Sequence, residues 1–171
     1  MHKNFAVPAL GFALALSFPA LAQLKVAVIN SQRAVLETAE MKKAAADLEA
    51  KYKPQQQEIE KRTKELQAIQ DKLSDPSKLK QEEAADLQAD GQRKQRALQR
   101  LTDDIQADVD RERNEILQRG GQRMQQIVGK MAEEKGLDLV VDISNTVYFK
   151  PALEITNEAI AAYDKQYPLK Q

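Results

Sequence analysis

The chain has 171 residues, with 26 basic and 26 acidic side chains, one histidine, no cysteine and no tryptophan. That inventory excludes a disulfide scaffold and thiolate chemistry, and the balanced charge argues against a nucleic-acid binder. With 5% aromatic and 30% charged residues, the chain can fill one small core and must place the rest on solvated helices.

Residues 1–22 read as a cleaved signal peptide. Lys3 gives the positive start, Phe5 to Phe18 the apolar run, and Ala20-Leu21-Ala22 the small-residue cleavage pattern. His2 is the only histidine and leaves with this segment, so no Ser-His-Asp or Cys-His site can be assembled from the rest. No acid, base and nucleophile stand out together elsewhere, and the expectation is not an enzyme.

"LKVAVIN" (Leu24 to Asn30) is short, apolar and rich in Val and Ile, so it reads as a strand. Asn30 or Ser31 can cap the helix that follows. From Ala34 to Leu73 the pattern is helical. Met41, Ala45, Leu48, Tyr52, Ile59, Leu66, Ile69 and Leu73 form a seam with steps of four and three, and Gln55 and Arg62 fill two of its positions. A repeat of 3.5 residues is that of a coiled coil. Pro54 lies inside this run and predicts a kink, or else the start of a new helix.

"KLSDPSKLK" then interrupts the run. Ser74, Asp75, Pro76 and Ser77 read as the tip of a helical hairpin, with Asp75 as cap and Pro76 as first residue of the returning helix. That helix is expected from about Lys78 to Lys135. Leu98–Val109 and Ile105–Ile116–Ile127 step by eleven residues, which predicts a straighter or oppositely wound return helix. At 1.5 Å per residue it reaches roughly 87 Å. Gly120-Gly121 is either a hinge or simply tolerated, and Gly136 is the expected helix stop.

"LDLVVDI" (Leu137 to Ile143) reads as a second strand and "TVYF" (Thr146 to Phe149) as a third, paired with it as a β-hairpin. Tyr148 and Phe149 are expected in the core. Thr156 is expected to cap a last helix, with Ile160 and Tyr163 packing back on the sheet. The fold class is therefore α+β, mostly α. Residues 23–38 and 131–171 form a small β-rich body, and residues 39–130 a helical hairpin arm. Three short strands and a helix make a poor core alone, and their edges invite pairing with another copy.

Together, "LKVAVINSQRAV", the Lys/Gln/Glu-rich hairpin and "EEKGLDLVVDISNTVYFKPALEITNEAI" resemble the Skp/OmpH family of periplasmic chaperones. The resemblance spans essentially everything after residue 22. It implies a homotrimer in the periplasm, its β-rich body carrying three arms that hold unfolded outer-membrane β-barrel proteins without ATP, metal or cofactor. By position it assigns Val26, Val28, Leu139, Val140 and Val141 to the oligomerisation body. Weak contact with anionic lipid or lipopolysaccharide is implied for basic members. Here residues 41–90 carry 10 basic and 11 acidic residues, and residues 91–130 carry 9 and 6, so electrostatic steering is weak. The alternative is a coiled-coil structural or adaptor protein of the cell envelope, which would bind a fixed folded partner.

Overall fold

The computed structural model describes residues 24–75, 77 and 79–169. The signal-peptide segment, Pro76 and Lys78 lie outside the described residues. Strand β1 (Val26–Ile29) leads into the short helix α1 (Ser31–Leu36). Two long helices follow, α2 (Ala39–Leu73) and α3 (Gln81–Lys135), then β2 (Leu139–Asp142) and α4 (Thr156–Gln166).

The two strands come from opposite ends of the described chain and pair in parallel, with Val26 opposite Leu139 and Ile29 opposite Asp142. The whole α2–α3 hairpin is the connection between them. β1 lies in the middle, because a single bridge joins Val28 to Glu154 on its other side, with the Ile155 N–H donating to the Val28 carbonyl at 2.9 Å. Ala27, Ile29, Met124, Ile127, Met131, Ile155, Ala159 and Tyr163 close the core between sheet, α3 and α4.

Asn30 caps α1 by accepting from the Arg33 N–H at 2.9 Å. The helical run from Ala34 is not continuous, however. It breaks at Glu37–Thr38, and the buried Thr38 hydroxyl oxygen caps α2 by accepting from the Met41 N–H at 3.2 Å. α2 runs through Pro54 without ending, so Pro54 does not start a new helix. α3 ends at Gly136, whose φ of 60° is left-handed. There the Leu137 N–H reaches back to the Ala132 carbonyl at 2.8 Å, a motif that glycine adopts at no steric cost.

Four expectations need correction. Residues 146–149 form no strand: Ile143–Asn145 is a 3-10 turn that turns the chain away from β2, with the Asp142 carboxylate accepting from the Ser144 N–H at 2.8 Å. Tyr148, expected in the core, is exposed, as is Val147, and Phe149 is half-buried. α3 starts at Gln81 after Lys80, not at the Asp75 cap, and Asp75 accepts from the Ser77 hydroxyl at 2.6 Å within the tip. Thr156 is already helical, and its buried hydroxyl accepts from the Asn30 N–H at 2.9 Å, tying α4 to the end of β1.

Candidate functional site

The arm is the largest feature of the chain, and its seam is thin. Tyr52 and Ile69 of α2 are buried, and Leu48, Ile59, Leu66 and Leu73 are half-buried on the same face. Ala45 is exposed, and Ala44 takes the covered place. From Tyr52 outward the covered positions step by seven (Tyr52, Ile59, Leu66, Leu73), and α3 answers with Ala84, Gly91, Leu98 and Ile105. Nearer the body, α2 steps by eleven from Met41 to Tyr52, and α3 by eleven through Ile105, Ile116 and Ile127. The period therefore changes along the arm, and not between its two helices as the sequence pattern suggested. Packed helices share one seam, so they must change phase together.

At the base, Glu40 joins three elements. Its carboxylate accepts two hydrogen bonds from the Arg123 guanidinium, at 2.8 and 2.7 Å, and one from the Tyr163 hydroxyl at 2.6 Å. Arg119 stands 3.5 Å away. Burial pushes the Glu40 carboxyl upward, but the bonds from Tyr163 and Arg123 outweigh it and hold the group below the usual carboxylate range. The Tyr163 hydroxyl is pushed up to about 12 by burial and by its bond to Glu40. Arg123 also stacks over the Tyr167 ring, 4.6 Å from its centroid. The Ala39 N–H donates to Asp164 at 2.9 Å, so α4 caps α2 from outside. Tightness here also explains Gly120: a Cβ there would stand 2.9 Å from the Met41 sulfur and 3.2 Å from Val35.

About three helical turns farther out, Tyr52 donates to Glu112 at 2.8 Å, and Lys51 donates to the same oxygen. The bond from Lys51 and then that from Tyr52 lower the Glu112 carboxyl. Lys94 and Glu65 pair at 2.8 Å on the exposed outer arm, where such pairs contribute little.

Beside the seam, an open groove of about 470 Å³ runs along the arm base, lined by Leu36, Met41, Ala45, Leu48, Ile116 and Leu117, among others, with Lys42, Glu49 and Arg113 around it. Leucine, methionine and alanine on a shallow floor accept apolar side chains of many shapes. Sequence reading assigned Met41, Ala45 and Leu48 to the seam, left Leu36 and Leu117 without a role and missed the groove; the surplus of apolar residues over one heptad stripe between Leu36 and Leu48 was its only signal.

In the body, Val26 and Val28 lie in β1 and Leu139, Val140 and Val141 in β2. Val28 is buried, while Leu139 is 48% exposed on the outer strand. Among the described residues nothing pairs with the outer edge of β2. The tip residues Ser74, Asp75 and Ser77 form a short polar connection; Ser74 donates to the Asp71 carbonyl at 2.6 Å.

Comparison with known proteins agrees in sequence and in shape. The family model described as outer membrane protein (OmpH-like) matches residues 25–163. A Skp-like protein of Pseudomonas aeruginosa is 30% identical over 145 residues, covering 82% of this chain and 84% of its own length. A crystal structure of an OmpH-like protein from Caulobacter crescentus, assigned as an outer membrane chaperone, shares the fold. Its TM-score is 0.69 at 20% identity, and the match covers 99% of this chain and 94% of the other.

Proposed function

The chain belongs to the OmpH-like family of outer membrane proteins, and from that premise we propose that it is an ATP-independent periplasmic holdase. It is exported by a cleaved signal peptide, self-assembles through its body as a homotrimer, and encloses unfolded outer-membrane β-barrel proteins between its arms. The observation that carries this reading is the groove at the arm base. The arm already has a seam, yet Leu36, Ala45, Leu48 and Leu117 keep part of their surface open on this groove, and nothing among the described residues covers it.

A holdase must bind many sequences weakly and let them go without fuel. Shallow contacts of modest strength do that, and several arms acting on one unfolded chain give retention through avidity. The near-neutral charge makes apolar contact, rather than steering, the main source of affinity. It also leaves anionic lipid or lipopolysaccharide a weak ligand at most.

The test is the light-scattering mass of residues 23–171, alone and with a β-barrel protein diluted from urea. The expected result is a trimer that converts to a defined soluble complex, and a complex that weakens when Leu48 and Leu117 are changed to Glu. A trimer that leaves the barrel protein to aggregate would instead fit the structural adaptor.

A further inference from the structure

The chain has no cysteine, so beyond residue 22 its only sulfur atoms are those of Met41, Met124 and Met131. All three methionines are buried, yet each lines an open groove. Met124 and Met131 line grooves on the body, of about 330 and 290 Å³. Met41 lines the larger one at the arm base, together with Leu36, Leu48 and Leu117.

Met41 has little room behind it. Its side chain is 4% exposed. A Cβ at Gly120 would stand 2.9 Å from the sulfur and 3.0 Å from the terminal methyl carbon, so the thioether lies directly on the bare α3 backbone. The first turn of α2 cannot yield either. The Met41 N–H donates to the buried Thr38 hydroxyl at 3.2 Å, and the neighbouring Glu40 carboxylate is bonded by Arg123 and Tyr163. An atom added to this sulfur has no space toward α3 and must project into the groove.

We infer that Met41 is a modification site for small oxidants of the hypohalous acid class, and that its sulfoxide turns the arm-base groove from apolar to polar and releases what the groove holds. The inference rests on the client-holding function proposed above and adds a control on the same site. The step balances: the sulfur gives an electron pair to hypochlorous acid and keeps its oxygen as a sulfoxide, while chloride and a proton leave. With no thiol in the chain, the oxidant has no softer target than these three sulfurs. The sulfoxide oxygen is polar where the thioether was apolar. An apolar client side chain seated over it would bury that oxygen without a donor, and the apparent affinity should fall about tenfold.

Trypsin separates the three methionines: Met41 falls in the peptide of residues 34–42, Met124 in 124–130 and Met131 in 131–135. Residues 23–171 are treated with hypochlorous acid, quenched with free methionine and checked for unchanged helix content by circular dichroism. A β-barrel protein diluted from urea is then added. The expected result is one added oxygen on peptide 34–42 and a fall in apparent affinity of about tenfold. Met124→Leu with Met131→Leu leaves Met41 as the only sulfur and is expected to show the same fall. Met41→Leu, compared only with its own untreated sample, is expected to show none. An unmodified Met41, a loss of helix content on treatment, or an equal fall in Met41→Leu overturns the inference. If the untreated chain does not hold the barrel protein, the proposed function fails. If it does, and the chain with oxidised Met41 holds it equally well, only this inference fails.

Discussion

Where the arm leaves the body, Glu40, Arg123, Tyr163, Asp164 and Thr38 tie α2, α3 and α4 together through buried or charge-assisted hydrogen bonds. Beyond Tyr52 the same two helices continue with the same residue types, but between residues 53 and 119 only Ile69 and Gly91 are buried among the described residues. The inner arm is clamped by partners from a third helix. The outer arm is held by one helix alone, along a half-covered seam with exposed ion pairs. Local opening follows local burial, so the difference teaches that an arm can be rigid in aim and compliant in reach.

The strongest way to break this contrast is to remove the clamp. Tyr163→Ala deletes a fully covered ring from the core and the hydroxyl that serves Glu40. It should cost about 3–5 kcal/mol, read as a drop in the denaturation midpoint. Glu40→Gln keeps the shape and removes the charge, at a cost of about 1–3 kcal/mol near pH 7. Because the folded carboxyl lies below its ordinary range, this contribution is full above that range and disappears as pH falls through the folded value. Melting curves of the two proteins should therefore draw together as pH falls below the ordinary carboxylate range.

Smaller changes sharpen the outer half. Leu66→Ala trims a half-buried seam residue and should cost about 1 kcal/mol. Amide exchange should quicken from Ile59 to Leu73 while the amides of β1 hold their rate; equal quickening in both would mean that the arm opens only as a whole. The least effect is a gain. The Gln55 side-chain oxygen is buried in the seam without a hydrogen-bond partner, so Gln55→Leu should stabilise the arm by roughly 1 kcal/mol. Slower exchange around Gln55 would show it.

Much of this was legible beforehand where local chemistry decides the outcome. Two Val-rich runs gave the strands, the break at Leu73 the end of α2, and Gly136 the end of α3. What stayed hidden depends on residues far away in sequence. The break at Glu37–Thr38 is stabilised by Asp164, more than a hundred residues later. Thr156 looks like a cap, but its hydroxyl belongs to Asn30. Thr146 to Phe149 has strand composition but pairs with no strand among the described residues, so propensity alone misled there. In the arm, Ala44 and Ala45 are alike by type, and only the phase of the eleven-residue step tells which is covered.

The parallel pairing of Val26 with Leu139 also bears on how the chain comes together. Closing a loop of that length from a random coil is slow and entropically unfavourable. Here the loop need not close at random. α2 and α3 are joined by only a few residues between Leu73 and Gln81, so they can zip from the tip through contacts that are local in sequence. Each turn zipped brings the two future strands nearer, until β1 and β2 are delivered to one another as the ends of a nearly finished rod. Insertions or deletions made in register on both helices would change the arm's length and leave that delivery intact, so arm length is free to vary while the body stays the same.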